Sequence, residues 1–352
     1  MSGSSSPASL SPRVEPAERH CGVAWTAAGP VTAAELEPLR DLGVTWITQT
    51  PFGWQRSIEE PEIHLTPDRG FWGERDEGLV TTLRIAHELG IKSLLKPHIW
   101  LVEEGHAQYS GSQGGQQPTR WLGAIRFRNE EEWERWFASY RHFLLHYAEL
   151  AERASFDGLV VGAELEGTLE RQADWRRLIA EVRSVYGGPL TYAASWRRFE
   201  QVPFWDALDA IGVQAYFPLS SDTSPALGAL LEAWREPKNR LAALAQVTGK
   251  PVLFTEIGYR SMADAGVRPW EWTERISTEA APDLELQTRL YEAFFRSLWD
   301  EPWFAGAYFW KWYPHGSHGR VHDLDFSPQG KPAEAVLARW YGATHVEAEP
   351  SM

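Results

Sequence analysis

Cysteine is almost missing from this 352-residue sequence: Cys21 stands alone, so no disulfide can close within the chain. Excess positive charge is missing too. Lys and Arg number 34 against 48 Asp and Glu, a formal net charge of −14, and no basic block interrupts that balance. A polyphosphate backbone or an anionic lipid surface would be repelled, which excludes nucleic acid and membrane as partners. No run of some 18 apolar residues is present to span a bilayer. The opening stretch MSGSSSPASLSPRVEPAERH is rich in Ser, Pro and Glu and has no apolar centre of the kind a secretory signal needs, so the expected compartment is the cytoplasm. What the sequence has in abundance is tryptophan. Its 19 Trp residues are about 5% of the chain, several-fold more than an ordinary core uses, and they point to flat aromatic surface at work.

Eight short apolar runs recur along the chain, at 22–26, 44–49, 92–99, 158–165, 190–196, 210–219, 251–259 and 306–312. Segments of helical period separate them. Glu131 to Ala154 carries Trp133, Trp136, Phe137, Tyr140, Phe143, Leu144 and Tyr147 at spacings of three and four, the stripe of a long half-buried helix. Trp175, Leu178, Ile179 and Val182 form a second such stripe. Thr32 followed by Glu35 reads as a capping box, and Gly43 reads as the stop of that helix, with Pro38 an awkward residue inside it. Repeated strand and helix with a count of eight, and no GxGxxG turn after the first run, predicts a (β/α)₈ TIM barrel rather than a doubly wound sheet. The barrel is expected to occupy 21–342 as a single domain, between an unstructured tail at 1–20 and another at 343–352. The stretches 50–74, 100–130 and 260–283 are long for βα loops and leave the C-terminal ends of strands, the face where barrels keep their sites. They carry Trp54, Trp72, Trp100, Trp121, Trp270 and Trp272.

Two glutamates end apolar runs: Glu164 in VVGAEL, on the fourth, and Glu256 in VLFTEIGY, on the seventh. Strand ends four and seven face one another across a narrow barrel, and an opposed carboxylate pair is what glycoside hydrolysis requires. One carboxyl protonates the leaving oxygen while the other attacks the anomeric carbon or activates water. Glu166 shares a strand face with Glu164 but stands two residues farther out, so Glu164 is the preferred acid and Glu166 the alternative. Trp310 on the last run offers a ring to a sugar's apolar face, and Trp312 points the same way by the period-two rule. Tyr216 is placed to donate a hydrogen bond to the attacking carboxylate. Trp25, Trp100 and Trp196, at or just beyond the ends of the first, third and fifth runs, complete the expected substrate-binding aromatics.

With LLKPHI, the aromatic helix leading to VVGAEL, LTYAASW, FWDALDAIGVQAYFPL, KPVLFTEIGYRS followed by PWEW, and PWFAGAYFWKW in this order, the chain resembles glycoside hydrolase family 113 from about Cys21 to Tyr341. That family comprises β-mannanases within the clan of retaining (β/α)₈ glycosidases. The resemblance implies Glu164 as acid/base, Glu256 as nucleophile, Trp310 as the platform under the reacting sugar, and Lys96 with His98 as polar groups at the third strand's mouth. It implies β-1,4-mannan or manno-oligosaccharide as substrate. Two positions depart from relatives in the clan: Ala163 stands where Asn often precedes the acid/base, and Ser195 stands where Asn is expected. Both bear on recognition of the sugar's 2-hydroxyl, and neither removes a carboxylate.

Other readings keep part of this pattern. The same chemistry on another β-linked sugar, as in a β-glucosidase, β-mannosidase or transglycosylase, would use the same pair. A non-catalytic carbohydrate-binding barrel would keep the aromatics but has no need of two opposed carboxylates. His315, His318 and His322 lie near Asp323 and Asp325, but the spacing is not that of a helical zinc motif and Gly316 and Gly319 interrupt it. No metal or cofactor is expected.

Overall fold

The computed structural model describes residues 12–15, 18–103, 121–271, 281–314 and 324–346. GLVVGA is apolar on both faces and, like VLFTEI, buried along its whole length, the pattern of strands packed on helices outside and on one another's side chains inside. Eight of them close a parallel barrel. In chain order the elements are β1 (His20–Trp25), α1 (Ala33–Asp41), β2 (Trp46–Gln49), β3 (Phe52–Gln55), β4 (Ile63–Leu65), α2 (Asp76–Glu88), β5 (Lys92–Leu95), β6 (His98–Leu101) and α3 (Glu130–Ala154). There follow β7 (Gly158–Ala163), α4 (Gln172–Val185), β8 (Leu190–Ser195), β9 (Ala210–Gln214), α5 (Leu227–Ala233), α6 (Arg235–Thr248), β10 (Val252–Ile257), α7 (Leu284–Leu298), β11 (Phe304–Trp312) and α8 (Pro332–Val346). The barrel order is β1, β2, β5, β7, β8, β9, β10, β11 and back to β1.

Two apolar layers hold it. Trp46, Leu94, Val160, Leu253 and Tyr308 belong to a small cluster filling the barrel, while a larger cluster joins the strands to the surrounding helices. The predicted stripe of α3, from Trp133 through Tyr147, is buried, and Trp136 stacks on Tyr140 with ring centres 4.9 Å apart. At the start of α1 the Thr32 N–H donates to the Glu35 carboxylate at 2.6 Å. At its end Gly43, with φ +81°, lets the Val44 N–H reach back to the Leu39 carbonyl at 3.0 Å, so the chain turns directly into β2. The helix runs on through Pro38.

Three features differ from the sequence reading. The third run, 92–99, is two strands in two sheets: Pro97 has no N–H to give the ladder, the barrel strand β5 ends at Leu95, and β6 joins β3 and β4 in a separate three-stranded sheet. That small sheet is built largely from the loop 50–74. Between β8 and β9 no α-helix forms; two single 3₁₀ turns, 199–201 and 205–207, cover the strands with Phe199, Phe204 and Trp205 instead. At the boundaries, β1 begins at His20, the Val14 N–H donates to the Pro302 carbonyl at 2.7 Å, and α8 runs to Val346. Trp272, His315, His318, His322, Asp323 and most of the two expected tails lie outside the described residues. Among the described residues no helix is long and apolar enough to cross a membrane.

Candidate active site

At the C-terminal mouth of the barrel a cavity of about 390 Å³ is lined by Glu164, Glu256, Lys96, Gln214 and Tyr216, with aromatic walls. Interruptions in strand register aim these side chains. Along β10, Phe254 and Ile257 both pack outward although they are three residues apart, and the pairing with β9 and β11 slips between them. The extra residue of a β-bulge re-aims what stands beside it, and here it turns Glu256 into the barrel next to Gln214. In β7 the pairing with β8 slips between Val160 and Ala163, and Glu164 follows in the left-handed region at φ 54°, its N–H donating to the Ala193 carbonyl at 2.9 Å.

The same device corrects the expectation for Trp312. Between Phe309 and Trp312, β11 places three residues against two of β1, so the alternation is reset. Trp310 and Lys311 line the cavity, whereas Trp312 is 4% exposed and packs with the outer core, away from the site. The other sequence-predicted residues, Trp25, Lys96, His98, Trp100, Glu164, Trp196, Tyr216, Glu256 and Trp310, are brought together on this cavity. Trp121 and Trp270 join them, while Trp54 and Trp72 do not line it.

A chain of polar contacts runs across the floor. Lys96, fully buried, donates to Glu256 Oε2 at 2.5 Å and stands 3.4 Å from Gln214 Oε1. The Tyr216 hydroxyl donates to the other oxygen, Glu256 Oε1. Both oxygens of Glu256 thus accept from strong donors, one of them a cation, as suits an anionic carboxylate. Gln214 reaches in the other direction and hydrogen-bonds Glu164. Burial pushes the Glu164 carboxyl up to about 8, helped by the charges of Glu256 and Glu166, so it carries a proton at neutral pH. One carboxyl is held neutral while the other accepts from an ammonium and a hydroxyl, the division of labour that acid catalysis with nucleophilic attack demands.

Glu166 is excluded from this pair by position. It does not line the cavity; its carboxylate is hydrogen-bonded by Ser195 and lies 3.7 Å from Arg198. His98 is held down to about 4, first by burial and then by the Lys96 charge, so it is a neutral wall residue with Nδ1 2.9 Å from the Ile99 carbonyl. The Lys96 ammonium and that of Lys311 both lie about 5.5 Å from the Trp310 ring centre, at 5.5 and 5.4 Å. On the opposite wall Trp196 and Trp270 stack at 5.6 Å, with the Arg197 guanidinium 4.7 Å from one ring and 5.3 Å from the other. Trp100 meets Phe52 edge to face at 5.6 Å.

The sequence reading missed Gln214, Arg197, Lys311 and Glu74, all of which line the cavity. Gln214 had a signal: it is the one polar residue within AIGVQAYFPL, two positions before Tyr216. Glu74 had none, because it stands in a loop whose docking onto the barrel no local pattern discloses.

A closed parallel barrel with an acid and a paired carboxylate at its mouth defines the class of (β/α)₈ glycoside hydrolases. The chain matches Glycoside Hydrolase Family 113 over residues 22–331 and belongs to that family. It is 30% identical to a family 113 β-mannanase from Alicyclobacillus acidocaldarius, solved in complex with ManMIm, with 93% of this chain and 98% of that one covered and a TM-score of 0.77. A family 113 β-1,4-mannanase complex is similar at 24% identity, over 92% and 99% of the two chains, with a TM-score of 0.75. A family 5 mannosidase from Rhizomucor miehei, 13% identical with 94% of each chain covered and a TM-score of 0.62, shares the fold. No curated protein sequence matches the chain.

Proposed function

We propose that this glycoside hydrolase cleaves β-1,4-mannosidic bonds in mannan or manno-oligosaccharides by double displacement. The observation that carries the mechanism is the unequal pair on one cavity: Glu164 raised to about 8 by burial, and Glu256 gripped by Lys96 and Tyr216. In the first step Glu256 attacks the anomeric carbon as the glycosidic bond breaks, and the Glu164 proton passes to the departing oxygen. A covalent glycosyl-enzyme results. In the second step Glu164, now a carboxylate, takes a proton from water as that water attacks the same carbon and releases Glu256. Lys96 and Tyr216 hold the nucleophile in place through both steps. The half-exposed Trp310 gives the reacting sugar an apolar floor. The mannose preference rests on the names of the family 113 relatives.

Four measurements test this reading. Glu256→Ala should abolish hydrolysis of every substrate. Glu164→Ala should lose about a hundredfold or more on natural oligosaccharides, less on an activated aryl glycoside, and regain turnover with azide as a β-glycosyl azide forms. The first wild-type product should have the β configuration by proton NMR; an α product would overturn the retaining mechanism, and faster cleavage of cello- than manno-oligosaccharides would overturn the substrate.

A further inference from the structure

The small sheet beside the barrel has two unlike faces. Its strands β3 and β6 pair in parallel and continue outward from the ends of β2 and β5, so each step along them leads away from the barrel mouth. The alternation of side chains puts Gly53, Gln55, Ile63, Ile99 and Leu101 on one face, and that face packs on α3. A Cβ on Gly53 would stand 2.7 Å from the Phe143 ring, so glycine lets the sheet lie close against the helix. The Gln55 amide oxygen accepts from the Trp136 indole at 3.1 Å, and the Ile63 N–H donates to the Ser139 hydroxyl at 3.2 Å. These contacts fix the sheet from behind.

The other face carries Phe52, Trp54, His64, His98 and Trp100, and every one of these side chains bears a ring. Val and Ile, the usual fillers of a strand face, are absent from it. Phe52 pairs in register with His98, and Trp54 pairs with Trp100 on one side and with the exposed His64 on the other. Phe52, His98 and Trp100 line the cavity that holds Glu164 and Glu256. Trp54 stands two residues, about 7 Å, farther out along the strand than Phe52, half-buried and outside the cavity. Its neighbours meet it at an angle: Trp100 at 6.2 Å between ring centres, tilted by 55°, and Phe52 at 6.5 Å, tilted by 49°. Among the described residues no ring lies parallel on the Trp54 indole.

We propose that Trp54, with Trp100 beside it, is a platform for one further sugar unit of a chain whose reacting units lie in the cavity. The occupant follows from continuity. Phe52, His98 and Trp100 belong both to the cavity wall and to this face, so a chain leaving the cavity on this side passes onto Trp54 without a break. A hexose unit suits the place, because its apolar face can lie on an indole while its hydroxyls stay at the rim, where His64 stands exposed beside Trp54. The outer end of the platform is firm. The Val102 N–H donates to the Gln55 carbonyl at 2.9 Å, and Arg56 pairs with Glu103 at 2.6 Å across the two strands. This assignment rests on the reading of the cavity as an oligosaccharide cleft, and it makes Trp54 a binding residue with no part in the bond-breaking step.

The test is chain length. The wild type, Trp54→Leu and Trp54→Phe are compared by kcat/KM on manno-oligosaccharides from two to six units. Leu keeps apolar bulk against Phe52 and Trp100 but has no flat face, whereas Phe keeps a smaller ring. The ratio of six-unit to two-unit kcat/KM is the quantity read, because any loss of folded enzyme cancels from it. Trp54→Leu should lower that ratio about fivefold, through KM with kcat on the long chain retained, as expected for losing one stacking contact. Trp54→Phe should keep the larger part of it. An unchanged ratio in Trp54→Leu, an equal loss at every length, or a wild type whose kcat/KM does not rise with length overturns the platform. A wild type that cleaves only cello-oligosaccharides overturns the mannan reading instead, and the length ratio is then read on that series.

Discussion

Glu164 shows how one side chain's surroundings set its role. It follows β7 in a left-handed conformation and is half-buried, with the Glu256 charge across the cavity. Because its folded value of about 8 lies above its free value of 4.5, the proton is bound more tightly in the folded state. Stability contributed by this group is full below about 4.5 and is lost as pH rises through about 8. Two outcomes follow. kcat/KM should fall on the alkaline side as the acid form disappears. The melting temperature of Glu164→Gln, measured against wild type across that range, should gain ground as the pH rises, because the amide has no charge to bury. Trp310 makes a complementary case. It is half-exposed between two ammonium groups rather than packed in the core, so Trp310→Ala should reduce turnover severely while costing well under the roughly 3–5 kcal/mol of a buried Trp truncation. Calorimetry beside steady-state kinetics reads both, and a melting loss that accounts for the lost activity would return Trp310 to a packing role.

At the scale of elements, the helices were the most legible part of the sequence, because their signals are local. The stripe of α3 and the capping box of α1 lie where periodicity and spacing put them. The Asn129 side chain accepts from the Glu132 N–H at 2.9 Å at the start of α3, so Asn129→Ala should destabilise the fold by about 1 kcal/mol in denaturant titration, with kcat on the folded fraction retained. Strand ends were less legible. The period-two rule holds only while a ladder stays in register, and β7, β10 and β11 all slip near their C-terminal ends. That is why Glu164, Glu256 and Trp310 were found by their place at strand mouths, while the rule assigned Trp312 to the wrong face. The boundary at Pro97 was misread for a related reason: an apolar run continued although the ladder could not, and the small sheet of β3, β4 and β6 draws its strands from two separate loops.

For the molecule as a whole, count and spacing of apolar runs sufficed for the closed barrel, but not for the crossover between β8 and β9, where large aromatics on 3₁₀ turns do a helix's covering work. Nor could local pattern disclose Glu74 or Arg197, whose positions depend on how loops from distant parts of the chain meet over one cavity, or Lys311, which the slip in β11 turns to it. The seam where β1 pairs with β11 carries a consequence of another kind. It joins segments such as Arg19 and Phe304 that are 285 positions apart, so during synthesis the first strand stays a bare edge until nearly the whole chain has emerged. Glu256 and Trp310 arrive in that same late portion. Closure of the ring and completion of the cavity therefore come together, and a half-made chain carries an exposed strand beside an unfinished site.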